Sequence, residues 1–382
     1  MSDKTLGKGA VLEELLRAYF LRAGFFVMRG VPFRFAEEDL TDVDLWLYER
    51  PTGSARRVQI CDIKYKQRPK AVERIFWTSG LATALKVDGA YVATTDKRTN
   101  LRAIAENLDL QLIDGNDIQR ILASHSVLYP QRITDEQLTA SLRSVDDDLR
   151  GKYFQNSRDQ ILSSLSDGFG ARSAVKALES FSRLATSAIS YRPNSPAAIA
   201  SGRLAYLAGA IVCESLDFVS VDAAFRPLDE RRDLMLQAVR YGALASDQGQ
   251  RSLRLALALI EKYSPAGKAS ALAVEQGLKQ DLESIPAEII ADQAMKLLKT
   301  DQLFLVGKDL EMESYSLDVA SFDYLSNASK AMLGALLDYS GIDRKRFATA
   351  WISSPPPSDA EPHDRSVPEK KQTELFRNDQ SK

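Results

Sequence analysis

The chain has 382 residues, of which 45% are hydrophobic and 27% charged, with a net charge of −2; this is the composition of an ordinary globular protein with room for about two or three domains. Cys61 and Cys213 are its only cysteines, which excludes a disulfide framework and a Cys/His zinc cluster and suits a reducing compartment. Its only histidines are His125 and His363, so Ser-His-Asp and Cys-His mechanisms lack material and any chemistry falls to carboxylates, lysines or a metal.

Residues 1–9 are polar and lack the apolar core of a signal peptide, and the most apolar later run, 204–212, is broken by Glu214 and Asp217 short of membrane-spanning length. A cytoplasmic protein without a membrane partner is expected. The overall charge conceals a local excess. Between Arg50 and Arg74 the cations Arg50, Arg56, Arg57, Lys64, Lys66, Arg68, Lys70 and Arg74 face only Asp62 and Glu73.

In chain order, residues 9–23 carry Leu12, Leu15, Leu16, Tyr19 and Phe20 at the spacing of a one-striped helix, which Gly24 is placed to end. On the helical wheel Glu13 falls at the margin of the apolar stripe and Glu14 nearly opposite it, toward water. Residues 25–28 and 31–35 read as a strand interrupted at Gly30, and 36–41 as a loop. Residues 44–48 and 57–63 are strand-like runs flanking Pro51-Thr52-Gly53-Ser54-Ala55, a hairpin signal. A loop over 51–55 sets Arg50 against Arg56, Tyr48 against Val58, Trp46 against Ile60 and Asp44 against Asp62, with Lys64 on the same face two residues on. Helix 70–86, strand 90–94, helix 97–108, strand 110–113 and helix 114–123 follow, an order that predicts a mixed sheet flanked by helices.

From residue 134 strand runs vanish. Helical periodicity continues through 134–150, 171–190, 196–218, 229–245, 251–263, 269–282, 287–298 and 324–339, with no fixed-period repeat. The expected organisation is therefore an α/β domain over 1–127, a mainly helical accessory region over 128–352 and a polar, Pro-rich disordered tail over 353–382. The helical region offers a surface for self-association or for a protein partner. Its acidic triple Asp146-Asp147-Asp148 reads as a solvated face.

Two opposed carboxylates at the end of one sheet face suit a hard divalent cation such as magnesium, with manganese as a substitute; a lysine beside them can act on a metal-activated water or on phosphoryl charge. Phosphodiester hydrolysis needs these groups and no histidine. Glu13 on the first helix, Asp44 within Asp-Leu-Trp-Leu, and Asp62-Ile63-Lys64 on the next strand resemble the PD-(D/E)XK nuclease superfamily, most closely its Mrr-type restriction endonuclease domain. The likeness spans about residues 8–124 and includes Gly89-Ala90-Tyr91-Val92-Ala93-Thr94-Thr95, Ala103-Ile104-Ala105-Glu106 and Leu110-Gln111-Leu112-Ile113-Asp114-Gly115.

The resemblance implies a restriction-endonuclease-like α/β fold and hydrolysis of DNA, with Asp44 and Asp62 binding magnesium, Glu13 assisting through a water or metal contact, and Lys64 acting on the attacking water. Many Mrr-type domains have Gln where this chain has Asp62. Asp42, on the same face, is a rival to Asp44. Lys66, Arg68, Lys70 and Arg74 follow the site and are expected to contact phosphates, while Cys61 points to the opposite face and Trp77 reads as core before base-stacker. RNA remains open as a substrate, and the competing expectation is a non-catalytic binding or scaffolding module that keeps the nuclease fold.

Overall fold

A computed structural model of the chain describes residues 7–35, 38–65, 70–124, 129, 131–245 and 247–352. The expected tail, His125, His363, Lys66 and Arg68 lie outside the described residues.

The N-terminal part is a five-stranded mixed sheet in the order β1-β2-β3-β4-β5, built from β1 (Phe26–Phe35), β2 (Glu38–Thr52), β3 (Ala55–Lys64), β4 (Gly89–Thr94) and β5 (Leu110–Ile113). The first three strands are antiparallel hairpins, whereas β3–β4 and β4–β5 are parallel pairs joined by helices α2 (Ala71–Leu85) and α3 (Asn100–Glu106), since a parallel return needs a crossover. Helix α1 (Lys8–Arg22) lays Leu12, Leu15, Leu16 and Phe20 on the face presenting Val27, Leu45, Cys61 and Ala93. Strand alternation sends Met28, Trp46, Ile60 and Val92 to the other face. Helix α4 (Gly115–Ala123) follows β5, capped by Asp114.

Two of the expected hairpin pairs are present, Tyr48 opposite Val58 and Trp46 opposite Ile60, whereas the ladder pairs neither Arg50 with Arg56 nor Asp44 with Asp62. The turn differs. Thr52 pairs with Ala55 and the register shifts between Glu49 and Thr52; Pro51, which cannot donate to a ladder, lies in the irregular stretch. Residues 38–41 are strand rather than loop, because the β1–β2 hairpin continues to Phe35 opposite Glu38. Gly30 interrupts conformation but not pairing: at φ 63° it lies between the pairs Arg29–Leu45 and Val31–Val43, hence opposite Asp44, and it adds no side chain there.

Helices α5 (Asp135–Asp148), α6 (Tyr153–Ser166), α7 (Ala171–Ser190), α8 (Pro196–Ser220), α9 (Leu228–Tyr241), α10 (Asp247–Tyr263), α11 (Lys268–Glu283), α12 (Ala287–Lys299), α13 (Leu303–Ser314), α14 (Asn327–Tyr339) and α15 (Arg344–Ala348) form the helical region. The helical runs expected from the sequence do not include α6, α13 or α15. Buried Ser157, Arg158 and Ser164 interrupt the stripe of α6, and Gly307 and Glu311 do so in α13. By length and composition α8 could cross a membrane, yet 83% of its apolar window is buried inside the fold. The sequence boundary near residue 127 does not separate two cores. One buried cluster runs from Trp46, Tyr48 and Ile60 of the sheet through Phe154, Ile161, Phe181 and Leu310 of the helices, and the Tyr48 ring meets Phe169 at 5.1 Å and Phe304 at 5.7 Å.

Charged groups reinforce this contact. Asp217 of α8 is fully buried and accepts hydrogen bonds from the Tyr48 hydroxyl at 2.7 Å and from the Arg56 guanidinium at 2.9 Å. Arg50 pairs with Asp301, so Arg50 and Arg56 are tied to the helical region rather than offered to phosphates, whereas Arg57 is exposed. Asp146 is not part of a solvated face: it is buried and caps α6 by accepting the Phe154 and Gln155 N–H groups at 2.8 and 2.9 Å. Asp147 and Asp148 are exposed.

Candidate active site

The β2–β3 ladder has its last pair at Leu45–Cys61. Beyond it β2 continues beside β1 while β3 continues beside β4 as far as Lys64 opposite Thr94, so the two middle strands part. Asp44 and Asp62 stand where they part, and strand alternation puts both, with Lys64, on the face that looks toward α2. The fork leaves the Ile63 N–H without a strand partner, and Asp44 Oδ2 accepts it at 2.6 Å.

Asp62 is buried, its side chain 6% exposed. Arg74, in the first turn of α2, binds it through both carboxylate oxygens: Nε donates to Oδ2 at 2.8 Å and a second guanidinium nitrogen donates to Oδ1. Arg74, expected at phosphates, is thus committed to the site itself. Lys64 is half-buried and forms no ion pair among the described residues, while exposed Lys70 pairs with Glu73 at 2.9 Å. Trp77 is not core: it is 47% exposed, beside Phe76 at 59%, and its ring lies 5.8 Å from the Arg74 guanidinium. Asp42 is exposed, opposite Pro32, and Cys61 is buried on the α1 face as expected.

Glu13 lies on α1, across the sheet from the aspartates, and is held by Arg29, whose Nε and Nη2 donate to Oε2 at 2.8 and 2.5 Å. Glu14, expected in water, is buried. It receives hydrogen bonds from Arg29 at 2.8 Å and from the Asp135 N–H at 3.0 Å, because α5 and α13 cover the side of α1 that a lone domain would expose. Glu311 of α13 completes this network with Arg17 at 2.9 Å and with Arg132.

Burial raises the Asp44 pKa to about 6; the Ile63 hydrogen bond opposes the rise, the Glu13 charge adds to it, and Arg74 and Lys64 oppose it. The folded chain therefore holds this proton more tightly than the unfolded chain, whose value is 3.8. The stability contribution of Asp44 is greatest below that value, falls as the pH rises, and reaches its full cost, at most about 3 kcal/mol, above about pH 6. Asp44→Asn keeps an acceptor for Ile63 without the buried charge. Urea unfolding should show it more stable than the parent by about 1–3 kcal/mol at pH 8 and equal to it near pH 4; equal stability at both would contradict the burial cost.

The donor chemistry suits magnesium, which takes hard oxygens and is commonly bound by one or two carboxylates with waters. Asp44 and Asp62 would hold it, with Arg74 moved off Asp62. Among the described residues no group of three His, Cys, Asp or Glu side chains could hold a metal, so Glu13 does not join the aspartates as a third direct ligand in this arrangement. Comparison with known proteins finds no matching family model, no matching curated protein and no matching solved structure.

Proposed function

We propose that the chain is a magnesium-dependent endonuclease that hydrolyses DNA phosphodiester bonds, with a restriction-endonuclease-like fold of the PD-(D/E)XK type in its N-terminal part. The observation that carries this is the parting of β2 and β3, which sets Asp44, Asp62 and Lys64 on one face at the mouth of the fork. The helix-first element order and the change from antiparallel to parallel pairing at β3 support it further.

In this role the bound metal supplies an activated water and charge neutralisation at the phosphate. Asp44 and Asp62 would hold it. Lys64, without an ion-pair partner among the described residues, orients the attacking water or stabilises charge on the phosphoryl group. Arg29 fixes Glu13 on α1, and the Glu13 charge bears on Asp44 from across the sheet. Exposed Trp77 on α2 and exposed Lys70 at its N-cap lie on the helix that carries Arg74.

One observation favours a second role. Asp62 is already neutralised by Arg74 and Glu13 by Arg29, as a non-catalytic module retaining the fold would have them. Incubating the full chain with duplex, nicked, branched and single-stranded DNA and with RNA, with and without magnesium, separates the two. The nuclease role expects magnesium-dependent cleavage by the parent chain and none by Asp62→Ala. Binding without cleavage of any substrate favours the module.

A further inference from the structure

Arg74 stands where a cation is wanted. Both Asp62 oxygens are taken by its planar fork, and without it the buried carboxylate would face no ion-pair partner among the described residues. Lys64, on the same sheet face, does not take that place. The fork neutralises Asp62 and takes one lone pair of each oxygen, so a metal binding this carboxylate competes with the guanidinium for its charge.

The guanidinium is also close to a way out. Its side chain is 26% exposed, against 6% for Asp62; it leaves the first turn of α2 on a long flexible stem and lies beside the exposed Trp77 ring. A guanidinium leaving a carboxylate finds its best replacement in another planar or tetrahedral oxyanion, and a nucleic-acid phosphate is one.

We propose that Arg74 is a counter-ion latch that couples metal loading to nucleic-acid binding. Without nucleic acid it neutralises Asp62 and keeps the metal out; an arriving phosphate takes the guanidinium and frees Asp62 for the metal. The inference rests on the nuclease role and adds to it the order in which the site is completed. By linkage, whatever factor DNA adds to metal affinity, the metal adds to DNA affinity.

The test measures manganese binding by electron paramagnetic resonance in the full-length chain carrying Lys64→Ala, so that nothing is cut, with and without a short DNA duplex. With Arg74 present, DNA should raise manganese affinity about tenfold. Adding Arg74→Gln should give manganese binding about tenfold tighter than the Lys64→Ala parent before DNA is added, with little further gain from DNA. Arg74→Lys, which keeps the cation without the fork and guards against a folding defect in the glutamine variant, should fall between them. Arg74→Gln binding manganese no tighter than the parent, while Asp62→Asn still abolishes binding, would overturn the latch and leave the nuclease role standing. Manganese binding that is absent throughout, or indifferent to Asp62→Asn, would overturn both.

Discussion

Lys64→Ala is expected to lower magnesium-dependent DNA cleavage about a thousandfold, the loss typical of removing a positioned proton-transfer or charge-stabilising group. Folding stability should change by less than about 0.5 kcal/mol. The two expectations separate because of where the residue sits. Lys64 is the last residue of β3, half-buried, with no ion pair among the described residues to lose, and its main chain stays paired opposite Thr94. Alanine therefore removes the ammonium and strands no partner. Asp62→Ala, by contrast, also leaves Arg74 without its acceptors, so a loss of activity there mixes chemistry with local rearrangement. Single-turnover cleavage at saturating magnesium, with urea unfolding of the same preparations, makes the measurement. A rate within tenfold of the parent would take Lys64 out of the chemistry.

Asp217→Ala should destabilise the chain by about 3–5 kcal/mol, the usual cost of leaving the other half of a buried ion pair alone. Asp217 is fully buried and holds Arg56 and the Tyr48 hydroxyl together. The Arg56 guanidinium keeps its bonds to the Thr52 and Ala55 carbonyls at 3.0 Å, but these neutralise no charge, and the Tyr48 hydroxyl loses its acceptor among rings that cannot replace it. Asp217→Asn retains an acceptor for Tyr48 and should cost less. Because Asp217 lies on α8 while Tyr48 and Arg56 lie on the β2–β3 hairpin, the loss should appear as one cooperative transition at lower urea in both sheet and helix signals. A change below about 1 kcal/mol, or separate transitions, would show that the two parts do not share the core described above.

The hairpin shows how much of the candidate site could be read locally. Alternation along 44–48 and 57–63 fixes which side chains share a face, and burial of Trp46, Tyr48, Val58 and Ile60 selects one register, since a slip by one residue would turn all four to the wrong side. Asp44 and Asp62 therefore follow the last pair, Leu45–Cys61, onto one face even though the turn is tighter than read, because the irregularity near Pro51 absorbs the extra residue. Pairing partners alone gave no sign that the ladder stops there, which is what opens the fork.

Other side chains depended on contacts far along the chain. Glu14 lies on the wheel where water is expected and becomes buried only because α5 and α13 close over α1. Arg74 read as a phosphate contact from its position after the site, and its reach to Asp62 depends on how α2 crosses β3. Trp77 read as core from its spacing, yet packing leaves it at the surface. Asp146 took its role from the first turn of α6, a helix whose polar buried face hid it from periodicity.

The sequence by itself determined the alternation of β2 and β3, hence Asp44, Asp62 and Lys64 on one face, and the change from sheet to helices, since these follow from local periodicity and burial. Tertiary structure alone decided that the helices share the sheet's core, that Glu13 is held by Arg29 and that Arg74 covers Asp62. Charged partners far apart in sequence are chosen by which elements pack together, and the pattern within any one element carries no record of that choice.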